Sequence, residues 1–183
     1  MNVEVRRVSG SDPVALELVA AMVGEMGGLY EPGLARSPLA PEQLSPPGGG
    51  FVVLSEDGRV LAGGGVKRID ALAGEIKRMY VVPDARGRGV GRALLAALED
   101  LARDLGYAVV RLDTGAKQPS AQRMYLRAGY VPVPDFNGNP YAAFWGEKRL
   151  AAPAEDDTSR ARPPDARGGS SWARPPDARG GSS

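Results

Sequence analysis

Three glycines alternate with arginines where a strand-like run meets a helix-like one. In Val81-Val82-Pro83-Asp84-Ala85-Arg86-Gly87-Arg88-Gly89-Val90-Gly91-Arg92, Gly87, Gly89 and Gly91 strip side chains from the turn into the helix. Bare N–H groups at a helix N-terminus, with the helix dipole behind them, favour a pyrophosphate. Arg86, Arg88 and Arg92 add cations to the same rim. A Walker loop needs Gly-Lys-Ser/Thr where Gly91-Arg92-Ala93 stands, and the glycine spacing is not the G-x-G-x-x-G of a dinucleotide fold. A ligand-free tight turn is the plain alternative. Three arginines, the preceding Pro83 and a strong following helix weigh against it.

What is missing narrows the chemistry further. The chain has 183 residues, with 23 Lys plus Arg against 22 Asp plus Glu, no His and no Cys. Ser-His-Asp triads, thiol nucleophiles, HExxH sites and cysteine zinc sites are excluded. Acid–base work falls to carboxylates, Tyr, Lys or a held water. No metal is expected, because neither a His/Cys cluster nor a ligand-spaced carboxylate group is present. The net charge of +1 argues against nucleic acid as a partner. No apolar run is long enough to span a membrane, and the first residues lack a signal-like apolar segment. The expected location is the cytoplasm.

These residues need a scaffold, and the hydrophobic pattern supplies one over residues 1–150. Val3–Val8 alternates like a strand, and Asp12 can cap a helix with Pro13 in its first turn, running through Met26. Residues 27–50, rich in Gly and Pro, read as a long loop on the substrate side. Phe51–Leu54 and Val60–Ile69 flank the hairpin turn Glu56-Asp57-Gly58-Arg59. A strand over Glu75–Val82 stops at Pro83. In the helix over Gly89–Leu105, Val90, Leu94, Ala97, Leu98 and Leu101 share a face. A strand over Ala108–Leu112, a short helix over Ser120–Ala128, and strands at Tyr130–Val133 and Ala142–Leu150 follow. This order is a mixed α/β (α+β) arrangement, not a βα repeat. Beyond residue 150, Ala161–Ser171 recurs as Ala173–Ser183, so residues 151–183 read as a disordered repeat tail.

With these residues in view, the sequence resembles the GNAT family of acetyl-coenzyme A-dependent N-acetyltransferases. The family pattern of Arg or Gln, two residues, Gly, one residue, Gly or Ala is met from Arg86 to Gly91. A second signature, Asn-x-x-Ala-x-x-Leu-Tyr-x-x-x-Gly-Phe, is approximated by Gln118 through Tyr130. The resemblance covers about residues 1–150. It implies a mostly antiparallel central sheet flanked by helices, with a splayed strand that binds acetyl-CoA as co-substrate.

The resemblance also assigns roles. Backbone groups of Met79, Tyr80 and Val81 would pair with the pantetheine arm. Amides from Gly87 through Arg88, Gly89, Val90, Gly91 and Arg92 would hold the pyrophosphate. Gln118 stands where the family has an Asn that contacts the cofactor arm. Tyr125 matches the acid that protonates the departing thiolate; a Tyr merely packed on the sheet is the bland reading. The amine must lose a proton, which a carboxylate can take directly or through water. Glu75 matches the base position in several branches and Asp113 the position in others. Glu75 is favoured for its reach, with pairing to Lys77 or Arg78 as its structural alternative. Asp113 is expected to stabilise the Thr114–Lys117 turn.

The acceptor would be a small-molecule or peptide amine, entering near Tyr30, Arg36, Phe136, Tyr141 and Trp145. A polycationic acceptor is not favoured, since no dense acidic stripe is present. A homodimer is left open. The rival reading is a non-catalytic acyl-CoA-binding sensor or interaction module.

Overall fold

The computed structural model describes residues 2–29 and 39–151. Tyr30, Arg36 and the repeat of the tail lie outside them.

Among the described residues seven strands form one sheet in the order β1-β2-β3-β4-β5-β7-β6. They are β1 (Glu4–Val8), β2 (Gly50–Glu56), β3 (Arg59–Arg68), β4 (Ala73–Val81), β5 (Val109–Gly115), β6 (Val131–Pro132) and β7 (Ala142–Arg149). Every pairing is antiparallel except β4 with β5. Among the described residues three α-helices, α1 (Pro13–Leu29), α2 (Val90–Asp104) and α3 (Pro119–Arg127), accompany the sheet. The mixed, mostly antiparallel class expected from the sequence is the one observed. No helix among the described residues is long and apolar enough to cross a membrane.

Hydrophobic alternation sorts the two faces. Phe51 and Val53 of β2 pack with Ala15 and Leu18 of α1, whereas Val52 and Leu54 join Leu94 and Leu98 of α2. A strand covered on both faces reads as an unbroken apolar run, which is how Phe51–Leu54 reads. Leu94 and Leu98 are fully buried, each contributing about 1.5–3 kcal/mol relative to exposure. The β2–β3 turn places Asp57 at φ 51° and Gly58 at φ 75°, both in the left-handed region that a two-residue hairpin demands.

Helix α1 begins as expected, with Asp12 Oδ1 accepting the Val14 N–H at 3.0 Å. It continues past Met26 to Leu29, where the sequence suggested a loop. Local propensity opposes Gly27 and Gly28 in a helix. Tertiary ties oppose that preference: Arg86 bonds to Glu25 at 2.7 Å, and Gln118 Nε2 donates to Met26 Sδ at 3.4 Å. Within the expected loop, Pro41–Leu44 forms a 3₁₀ turn whose Leu44 is buried.

The functional geometry begins where β4 leaves β5. Their parallel pairing is confined to Ala73–Glu75 opposite Val109–Arg111. Beyond it, β4 stays with β3 and β5 stays with β7. On the β3 side, Gly63 faces Tyr80 and Gly65 faces Lys77, so Arg78 and Met79 together oppose Gly64. This is a β-bulge, with Arg78 at φ 59°. A bulge bends and twists its strand, consistent with the departure of β4 from its neighbour. Gly64 has to be small there: a Cβ would lie 3.2 Å from Met79 Cα and 3.0 Å from Leu98 Cδ1.

Candidate active site

The splay opens into a cavity of about 550 Å³. Its floor is β4 from Glu75 to Met79 and β5 from Asp113 to Gly115, while Gln118, Ala121 and Tyr125 of the α3 segment line another side. Positions 118, 121 and 125 share one helix face, so the spacing visible in the sequence suffices to place all three. Met22 and Met26 of α1 contribute an apolar wall.

Tyr125 is buried and its hydroxyl donates to Met79 Sδ at 3.7 Å, beside the bulge. Its ring tilts against Tyr130, with centroids 5.9 Å apart. Burial pushes the phenol's pKa up, and the nearby negative charge of Asp113 adds to the effect. The group therefore stays protonated across neutral pH, the state a proton donor needs. Gln118 sits at the cavity with its amide engaged at both ends: Oε1 accepts from Thr114 Oγ1 at 2.9 Å, and Nε2 meets Met26.

Glu75 and Asp113 meet in a polar network on the α1 face of the sheet. Glu75, 1% exposed, lies 2.7 Å from Lys77 Nζ through Oε1 and 2.9 Å from Lys67 Nζ through Oε2. Lys67 is its direct cross-strand partner on β3. Asp113 Oδ2 lies 2.5 Å from the same Lys77 Nζ. Asn137 Nδ2 donates to Glu75 Oε1 at 2.7 Å and also to Asp113 Oδ2, while Asn139 Nδ2 donates to Asp113 Oδ1 at 2.9 Å. Trp145 Nε1 holds Asn137 Oδ1 at 3.1 Å. The expected pairing of Glu75 with Lys77 is present, joined by Lys67. Asp113 joins this network, although the sequence suggested a role in the Thr114–Lys117 turn.

At the other end of the splay, the chain turns through Pro83–Ala85 into α2. Gly87 (φ 75°) and Gly89 (φ 83°) occupy the left-handed region that a side chain would strain. Gly91 serves differently: a Cβ there would come within 3.3 Å of Met124 Sδ on α3. The helix opens with Arg92 and Ala93 donating to Gly89 O, so the preceding N–H groups project from the end of the helix without intrahelical acceptors. Arg92 is exposed on this rim. Arg86 and Arg88 are there too, each engaged by an acidic partner. Arg86 bonds to Glu25 and to Val81 O at 3.0 Å, and lies over the Tyr80 ring; Arg88 bonds to Glu56 at 2.5 Å.

The structure thus brings together Tyr125, Glu75, Asp113, Gln118 and Met79 at one cavity. Tyr80, Val81 and the Gly-Arg turn continue from it along β4. Of the aromatic residues expected near the acceptor, Tyr141 lines the cavity. Phe136 instead faces the Arg111 guanidinium, and Trp145 supports Asn137. Lys67, Asn137 and Asn139 were not singled out from sequence, and Lys77 and Arg78 only as pairing partners for Glu75. Asn137 and Asn139 belong to a Pro-, Asn- and Gly-rich stretch between the last two strands, with nothing local to indicate carboxylate partners.

A strand splayed at a bulge, continuing into a bare helix N-terminus, agrees with what the sequence comparisons find. The model for the acetyltransferase (GNAT) family matches residues 21–130, and the chain belongs to that family and is an acyltransferase. It is similar to an IAA acetyltransferase of Azospirillum brasilense, 32% identical over 148 residues, covering 78% of this chain and 95% of that one. An aminoalkylphosphonate N-acetyltransferase of Salmonella typhimurium is 44% identical over 57 residues, 31% of this chain and 37% of its own. In three dimensions, a Klebsiella pneumoniae chain described as an acyl-CoA N-acyltransferase aligns with a TM-score of 0.66. That alignment is at 28% identity and covers 81% of this chain and 98% of the other.

Proposed function

We propose that this protein transfers the acetyl group of acetyl-CoA to the primary amine of a small molecule by direct attack on the thioester. The observation that carries the reading is the divergence of β4 from β5 after Glu75 and Arg111, with Tyr125 beside the bulge on the departing strand.

An unpaired strand edge offers N–H and C=O groups to an extended amide-containing chain. The pantetheine arm, with its two amides, fits along Met79–Val81. The pyrophosphate fits the amides from Gly87 to Arg92, where the helix dipole favours negative charge. To receive it, the rim can draw on Arg92 and on arginines whose present partners are surface carboxylates.

The acceptor arrives as an ammonium and must lose one proton before it attacks. That proton passes through water to the Glu75–Asp113 network, with Glu75 as the favoured carboxylate and Asp113 beside it. The amine lone pair then forms the C–N bond, and backbone N–H groups at the bulge stabilise the oxyanion. When the intermediate collapses, the C–S bond breaks, the sulfur keeps the electron pair, and Tyr125 supplies its proton. The nitrogen's remaining surplus proton passes to the tyrosinate and restores Tyr125, while the carboxylate network gives the first proton up to solvent. The products are an N-acetyl amine and the coenzyme thiol, with one proton released overall from the ammonium. Holding amine and thioester together contributes much of the acceleration in such a mechanism.

Calorimetry with acetyl-CoA, followed by thiol release over a panel of amines, tests the reading. Binding with amine-dependent thiol release supports it. Binding without release from any amine overturns it.

A further inference from the structure

The two carboxylates proposed to take the amine's proton come from strands that are parting. Pairing between β4 and β5 ends at Glu75 opposite Arg111, so the sheet itself does not fix Asp113 against Glu75. Lys77 and Asn137 do. Lys77 reaches across on a long, flexible side chain, whereas Asn137 is short and the donor end of its amide is fully spent. Its Nδ2 has two hydrogens, one for Glu75 Oε1 at 2.7 Å and one for Asp113 Oδ2. Whatever holds Asn137 therefore helps to hold the carboxylates.

Asn137 belongs to a loop laid over one face of the β5–β7 ladder. On that ladder Arg111 is opposite Glu147 and Asp113 is opposite Trp145, and side chains two apart on a strand share a face. Arg111 Nε donates to Glu147 Oε2 at 2.8 Å, and the Phe136 ring lies 5.5 Å from the same guanidinium. One step along, Trp145 Nε1 donates to Asn137 Oδ1 at 3.1 Å. Successive loop residues thus dock on successive cross-strand pairs. The loop's own bonds complete the fit. Asp135 Oδ1 accepts from the Asn137 and Gly138 N–H groups, and Asn137 Oδ1 also accepts the Asn139 N–H at 3.2 Å.

An indole N–H donates and accepts nothing, so it meets only the oxygen end of an amide. With Oδ1 held by Trp145 and by the Asn139 N–H, Nδ2 has to face the carboxylates. Trp145 is half-buried and is not among the described residues that line the cavity, whereas Asn137 is. Its influence on the reaction runs through that amide.

We propose that Trp145 is a positioning residue for acetyl transfer: by holding the Asn137 amide, it sets Glu75 and Asp113 relative to each other where the amine loses its proton. This deepens the acetyltransferase reading and rests on it.

Trp145→Phe keeps an apolar ring and removes the N–H. In thiol release kcat should fall about three- to tenfold, the worth of one hydrogen bond, while KM for both substrates and the unfolding temperature hold. A double-mutant cycle separates positioning from packing. Once Asn137 is truncated by Asn137→Ala, adding Trp145→Phe should change kcat by less than about twofold. NMR supplies a readout without turnover. The Trp145 indole proton should move upfield in Asn137→Ala, and the Asn137 side-chain amide protons should move in Trp145→Phe.

Unchanged kcat in a folded Trp145→Phe, or losses that add fully in the double variant, overturns the assignment while the parent's thiol release stands. A raised KM for the amine with kcat intact also overturns it, by making Trp145 a wall of the acceptor site. If Trp145→Phe does not fold, the indole proton decides: one that stays in place in Asn137→Ala overturns the assignment. A parent that releases no thiol with any amine overturns the acetyltransferase reading, and this assignment with it.

Discussion

Glu75 and Asp113 share one ammonium: Lys77 Nζ lies 2.7 Å from Glu75 Oε1 and 2.5 Å from Asp113 Oδ2. The two carboxylates come from adjacent strands that separate just at this point, so the lysine bridges the mouth of the splay. Asn137 bridges the same pair from the opposite loop. Two like charges would otherwise repel across a poorly hydrated gap. The shared donors let both carboxylates lie beside the proposed site of amine attack.

Lys77→Met should be strongly destabilising, because it leaves two neighbouring carboxylates, one buried, without their common counter-charge. Losing one partner of a buried ion pair costs about 3 kcal/mol or more. The urea midpoint should fall accordingly, and adding Asp113→Asn should recover part of the loss. An unchanged midpoint would show that the bridge contributes nothing to the fold.

Asn137→Ala tests positioning more gently. The variant removes the amide between the carboxylates and leaves Trp145 Nε1 without its acceptor. A drop in kcat of about tenfold is expected from the lost charge-assisted bonds, with acetyl-CoA affinity unchanged. If kcat holds and only coenzyme affinity falls, Asn137 belongs to the other half of the site.

The glycines of the turn should separate into two classes. Gly89→Ala forces a side chain into the left-handed region and should cost about 1–2 kcal/mol, together with weaker acetyl-CoA binding. Gly91→Ala meets a flexible Met124 side chain at 3.3 Å and should be milder. Calorimetry and thermal unfolding on the two variants would check the order.

The Glu25 carboxyl is held below its ordinary value of 4.5, first by its hydrogen bond from Arg86 and then by Tyr80, against an opposing desolvation effect. A carboxyl lowered in the folded state stabilises the fold fully above its unfolded value, and that stabilisation disappears as pH falls through the folded value. Glu25→Gln should therefore unfold at a lower temperature than the parent near neutrality. The difference should close as the pH falls below 4.5 and on through the lower folded value. A gap that persists in acid would assign the effect to packing of α1.

Much of the scaffold was legible in local pattern. The α2 stripe, the Asp57-Gly58 turn and the Asp12 cap each depend on residues a few positions apart. The face shared by Gln118, Ala121 and Tyr125 could be read in the same way. The bulge could not, because the left-handed Arg78 and the required smallness of Gly64 depend on pairing between strands. Asn137 meets Glu75 across 62 positions of sequence, and Arg86 meets Glu25 across 61. Such partners carry no mutual signal in a single chain. The extension of α1 through Gly27 and Gly28 was hidden for the same reason, as its ties run to α3 and to the Gly-Arg turn.

The central claim is that Tyr125 delivers a proton to the departing thiolate. Its most direct test is steady-state thiol release by the parent and by Tyr125→Phe, with acetyl-CoA affinity measured on both. A general acid contributes about 10²–10⁴-fold, so kcat should fall at least a hundredfold while affinity and the unfolding temperature change little. Undiminished kcat in a folded, acetyl-CoA-binding Tyr125→Phe would contradict the account.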